Sequence, residues 1–164
     1  MLSLLWMGVI YAFSARNSMD SAAMSGKLLR KLLSVLVPKW QEMAAGEQAA
    51  LIRRLHRGFR KLGHFSEYAV LGLLLTETVH ALLIQTSRLT LPKAEVWLPA
   101  LLSLLYAAGD EFHQRFVSGR SGELRDVGID FAGACFGIGI FFAGSAIIQR
   151  IRIHKKKSRP QENE

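Results

Sequence analysis

The chain has 164 residues, half of them apolar and only 21% charged, with a mean hydropathy of +0.20; this excludes a disordered chain and leaves room for one domain. Lys and Arg outnumber Asp and Glu by 21 to 13, and in so apolar a chain that excess points to anionic lipid ahead of nucleic acid. The one cysteine, Cys135, excludes an intramolecular disulfide and a cysteine-ligated zinc site.

Residues 1–15, MLSLLWMGVIYAFSA, carry no charged side chain. As a helix they reach about 22 Å, short of a hydrocarbon core of roughly 30 Å. They read as a first membrane helix missing residues from its true start. A signal peptide is the alternative, given the small Ala12 and Ser14, although the positive n-region is lacking. Residues 26–61 differ in character. Leu28, Leu29, Leu32, Leu33 and Leu36 form one apolar stripe, with Lys27, Arg30 and Lys31 off it, and Pro38 closes the segment. Leu51, Ile52, Leu55 and Phe59 form a second stripe among Arg53, Arg54, Arg57, Arg60 and Lys61. Both segments predict basic amphipathic helices, lying on a membrane surface or capping the bundle.

Three more apolar stretches follow. Residues 65–86 are long enough to span but contain Glu67, Glu77 and His80. Residues 95–113 have Pro99 near their start, where a missing N–H costs little. Residues 131–149 carry no charge, within a helix expected over 127–149. From 150 to 164 the chain is polar and basic and reads as a disordered tail near anionic headgroups. The expected architecture is all-α: a membrane-embedded bundle of about four transmembrane helices over 1–149, with amphipathic surface helices in the first loop. A soluble bundle leaves too little polar face to solvate it, and no strand alternation supports a β-barrel.

Orientation is contested. The tail has six Lys and Arg and the 87–94 loop two, whereas segment 16–63, on the opposite face, has ten. Long loops count for less in the positive-inside rule, so the tail is read as cytoplasmic.

Alternating helices bring the polar residues to one face. Lys61, His64, Glu67 and Tyr68 open the second helix; Asp110, Glu111, His113 and Gln114 close the third. Arg120, Arg125, Asp126 and Asp130 lie in the connection or open the fourth, and Ser14 and Arg16 end the first. So many ionisable groups at one level of a membrane protein mark a site. Lys61, His64, Tyr68 and Gly72 form one helical stripe; Asp126, Asp130, Gly133, Gly137 and Gly144 form another. Gly133 and Gly137 make a GxxxG that invites a neighbouring helix. Arg120, projecting between Gly119 and Gly122, is read either as a clasp on Asp110, Glu111 or Asp126 or as the receptor of an anionic ligand. His64 either locks helices through a carboxylate or serves as a general acid and base.

The segments RKLGHFSEYAVLGLLL and YAAGDEFHQRFVSGRSGELRDVGIDFAGACFGIG resemble the VanZ-like family of bacterial membrane proteins. The resemblance rests on Lys61, His64 and Tyr68; on Asp110, Glu111, Gln114 and Phe116; on Gly119 and Arg120; and on Asp126, Asp130 and Gly133. Asp130 stands where the family commonly has Asn, which adds a charge to the site. The resemblance implies a multi-pass protein of the bacterial cytoplasmic membrane. The family's namesake is linked to low-level teicoplanin resistance, but the resemblance supplies no biochemical activity.

The expectation is therefore a polar site at one membrane face that binds or processes an anionic lipid-linked or cell-envelope substrate. Candidate catalytic residues are His64, Asp110, Glu111, Arg120 and Asp126; candidate substrate-binding residues are Lys61, Tyr68, Gln114, Arg120 and Asp130. No metal and no cofactor are expected, because no zinc motif, nucleotide-binding glycine loop or nucleophile elbow occurs. Expected partners are membrane lipids with anionic headgroups, a lipid-linked envelope substrate and a second copy of the chain, with no nucleic acid. Two other readings stay open: a non-catalytic protein whose polar cluster staples its helices, and a small proton-coupled transporter using Glu77 and His80.

Overall fold

The computed structural model describes residues 1–85 and 93–157, and every regular element in them is helical. In order these are α1 (Leu2–Ser14), α2 (Ser18–Leu36), a 3₁₀ turn (Trp40–Glu42), α3 (Ala45–Gln85), α4 (Ala94–Gln114) and α5 (Leu124–Lys157). Asn17 caps α2 by accepting from the Asp20 backbone N–H at 2.8 Å, and its amide donates to the Asp20 carboxylate. The helix stops before Pro38, and Lys39 takes a left-handed conformation (φ 59°) that turns the chain back.

Among the described residues two helices are long and apolar enough to cross a membrane: α3, whose most apolar stretch has mean hydropathy 1.4, and α5, at 2.0. Of the four crossings expected, α1 is apolar but only 13 residues long. The run in α4 is diluted by Asp110, Glu111, His113 and Gln114 at its end. Pro99 falls in the second turn of α4, deeper than expected, and is buried.

Two boundaries and one packing arrangement differ from expectation. The second amphipathic segment and the second apolar stretch are one 41-residue helix, α3. No proline interrupts 45–85, and a glycine inside a helix costs only about 1 kcal/mol, so Gly63 does not end it. A change in which face is apolar is no stop signal. The helix reaches about 62 Å, twice the hydrocarbon core. At the other end α5 continues through Lys157, so residues 150–157 of the expected tail are helical. Arg88, in the 87–94 loop, and residues 158–164 of the tail lie outside the described residues. The third difference concerns the amphipathic pair. Their stripes face each other: Leu29, Leu33 and Trp40 are buried together, with Leu51, Ile52 and Phe59 against them. Leu28, Leu32 and Leu36 stay exposed.

The main core joins Ile10 of α1, Tyr68, Leu71 and Leu75 of α3, Ala107 of α4 and Ala134 of α5. Its tightest part is the seam between α3 and α5. A Cβ on Gly133 would overlap the Phe65 carbonyl, and one on Gly137 the Ala69 carbonyl; Gly72 meets Ala134 in the same way. Backbones touch here because no side chain intervenes. The glycine stripe ends there, since a Cβ on Gly144 would meet nothing.

Candidate functional site

The polar residues converge at the end of the bundle where α4 stops and α5 starts. Antiparallel packing brings the middle of α3, the last turn of α4, the 115–123 connection and the last turn of α1 together there. Lys61 of α3 donates to Asp126 in the first turn of α5 at 2.6 Å. That carboxylate also lies where the partial positive charge of the helix N-terminus favours it. One turn further along α3, His64 Nδ1 sits 3.8 Å from the Asp130 carboxylate, too far for a hydrogen bond. Asp130 is fully buried, and neither of its oxygens, nor His64 Nδ1, nor the Tyr68 hydroxyl has a hydrogen-bond partner among the described residues.

Of the two readings of Arg120, the direct clasp on Asp110, Glu111 or Asp126 is not formed. The Arg120 Nε donates to the Arg16 carbonyl at 3.1 Å and its Nη2 to the Phe13 carbonyl at 3.2 Å. Nη1 donates to the Gln114 side-chain oxygen at 3.0 Å, and the Gln114 amide donates to Asp110 at 3.1 Å. The guanidinium thus binds carbonyls at and just past the end of α1, adding a second donor to the Phe13 carbonyl that already accepts the Arg16 N–H, and reaches Asp110 through Gln114. Burial, reinforced by the neighbouring Arg60 charge, lowers the Arg120 pKa, while Asp110, Glu111 and Glu67 oppose the shift. Gly119 takes φ 74° to aim this turn, and a Cβ there would crowd Ser18 of α2. Glu111 accepts the Glu123 backbone N–H at 2.8 Å, so one of its oxygens fastens the start of α5.

Two cavities open on this cluster. The first, about 320 Å³, is a polar cup whose lining includes Arg57, Arg60, Lys61, Arg120 and Arg125, with Glu123 and Asp126 as its carboxylates among the described residues. The second, about 460 Å³, is a mainly apolar groove between α1, α2 and α3. Arg60, His64 and Arg120 line both.

Of the candidates named from sequence, Lys61, His64, Gln114, Arg120 and Asp126 line the cup, and His64, Arg120 and Asp110 line the groove. Tyr68, Asp130 and Glu111 line neither. Tyr68 and Asp130 lie behind His64 in the seam. Arg57, Arg60 and Glu67 line cavities without having been candidates. Their signal was in the sequence, because Arg57, Arg60, Lys61 and His64 share one face of a helix; it is lost when α3 is cut near Gly63. Glu77 and His80 are not partnered with each other: His80 Nδ1 is 3.3 Å from Glu95 of α4, and Glu77 is exposed. His113 packs its ring on Tyr11, with centroids 5.0 Å apart. Among the described residues no three His, Cys, Asp or Glu side chains are placed to hold a metal ion.

Comparison with known proteins identifies a family. A family model described as VanZ/LLP1 covers residues 1–148, from α1 well into α5. No curated protein and no solved structure matches the chain.

Proposed function

The chain belongs to the VanZ/LLP1 family, and from that premise we propose that it is a multi-pass protein of the bacterial inner membrane whose basic cup binds an anionic lipid-linked or cell-envelope substrate. Its four crossings in this reading are α1, the second half of α3, α4 and α5. One observation carries the reading. Five cationic side chains line the cup against two carboxylates, and Arg57, Arg60 and Arg125 have no ion-pair partner among the described residues. Clustered arginines suit phosphate or carboxylate, whose oxygens match the guanidinium fork. His64, open to both cavities, is the group in reach to move a proton at a bound headgroup. With the tail cytoplasmic, the cup faces the outer side of the membrane, the side toward the cell envelope.

A structural role is favoured at one residue. The three bonds from Arg120 to α1 and Gln114 make it a clasp as well as a wall of the cup. Substituting His64→Ala, Glu111→Gln and Arg120→Ala one at a time tests the reading. The measurements are membrane abundance, anionic lipid kept by the purified protein and teicoplanin susceptibility of expressing cells. His64→Ala is expected to lower susceptibility-linked function at full abundance, and Arg120→Ala to lower abundance too. Unchanged lipid retention and susceptibility in all three variants overturn the reading.

A further inference from the structure

The groove beside the cup has a chemistry of its own. Its walls are Ile10 and Phe13 of α1, Met24 and Leu28 of α2, and Phe59 and Leu62 of α3. At about 460 Å³ it lies within the roughly 300–1,000 Å³ range of sites that hold small ligands. Its rim is open: Met24, Leu28 and Leu62 are 41%, 54% and 58% exposed. Gly63 lines it too, and a Cβ there would meet nothing within 4 Å. Because Arg60, His64 and Arg120 border both spaces, the groove and the cup make one amphipathic site, apolar at one end and cationic at the other.

We propose that the ligand of this site is a phosphate-bearing lipid that lays one hydrocarbon chain in the groove between α1, α2 and α3 and places its phosphate in the cup. The inference rests on the headgroup reading above and adds the class of ligand and the direction in which it lies. Charge fixes that direction. The groove's mainly apolar lining holds two carboxyls, Glu67 and Asp110, beside the shared Arg60 and Arg120, whereas the cup adds Arg57, Lys61 and Arg125 and so carries the excess of cations that attracts an anion. The open rim lets a chain enter sideways from a bilayer, with no need to leave the apolar phase.

The test uses the full chain in phosphatidylcholine nanodiscs, titrated calorimetrically with dodecyl phosphate and with inorganic phosphate, and with empty discs as blank. Gly63→Phe and Leu28→Trp fill the groove from two different helices. Arg60→Ala combined with Arg125→Ala strips the cup. Wild type is expected to bind dodecyl phosphate at least tenfold tighter than inorganic phosphate. Both groove variants are expected to lose that advantage while holding inorganic phosphate as wild type does. If they bind dodecyl phosphate as tightly as wild type while the cup variant does not, the chain lies elsewhere; the groove inference falls and the headgroup reading survives. If groove and cup variants all bind like wild type, both fall.

Discussion

The two sides of α3 are built on opposite plans. Toward α5 it presents Gly72 and the carbonyls of Phe65 and Ala69 to Ala134, Gly133 and Gly137, and backbone meets backbone. Toward α2 it meets a small cluster around Leu29, Leu33 and Trp40 and a Ser25–His56 hydrogen bond, and leaves the groove and part of the cup unfilled. The close-packed side fixes where Lys61 and His64 point. The open side is where a ligand has room. A site in this protein needs both, since an arginine cup without a rigid back wall would have no defined geometry.

The largest expected effect breaks the close-packed side. Gly137→Leu forces a side chain into the Ala69 backbone, which has no flexible end to give way. Overpacking costs about 1–3 kcal/mol where neighbours can adjust, and more where they cannot. The folded protein should vanish from membranes, as read by fluorescence-detected size exclusion, whereas Gly144→Leu, at a position with open space, should leave it intact. Arg120→Ala comes next. It removes three hydrogen bonds from a charged donor and should cost about 2 kcal/mol, given that such bonds contribute about 1.5–3 each without adding up. Arg120→Lys should recover only part of this, because an ammonium cannot reach three separated acceptors; thermal melts of the purified variants measure it.

Much of this arrangement was legible before the fold was known, because it follows from helical spacing. The i, i+3 and i+4 steps put Lys61, His64 and Tyr68 on one face, and alternation of direction brought Asp110 and Gln114 to the same end as Asp126. Other features depend on tertiary geometry. Arg120 reads from sequence either as a clasp on a carboxylate or as the receptor of an anion, and it binds the Phe13 and Arg16 carbonyls, acceptors that only the docking of α1 brings within reach. The basic stripe through Arg57 and Arg60 was hidden because a switch from amphipathic to apolar pattern looked like a boundary, although nothing at Gly63 stops a helix. The groove could not be read at all. It exists because α2 folds back on the first half of α3, burying Leu29 and Leu33 while leaving Leu28 and Met24 at a rim.

Smaller effects sharpen the same contrast. Asp130→Asn removes an ionisable carboxyl that is fully buried without a hydrogen-bond partner among the described residues. It should raise stability by about 1 kcal/mol, a Tm gain of about 2–4 °C for a chain of this size, with lipid retention unchanged because Asp130 lines neither cavity. Lys61→Ala should do least. Its partnership with Asp126 is close but about a third exposed, and such pairs contribute about 0–1 kcal/mol. A Tm within a degree or two of wild type, with a difference that shrinks in high salt, would match this.

Native mass spectrometry of the protein released from mixed nanodiscs puts the whole arrangement at risk in one measurement. Wild type should carry phosphatidic acid in clear preference to phosphatidylcholine. The Arg60→Ala, Arg125→Ala double variant should lose that preference while melting at the wild-type temperature. Equal retention of phosphatidic acid by both proteins would contradict an anion-binding cup at this end of the bundle.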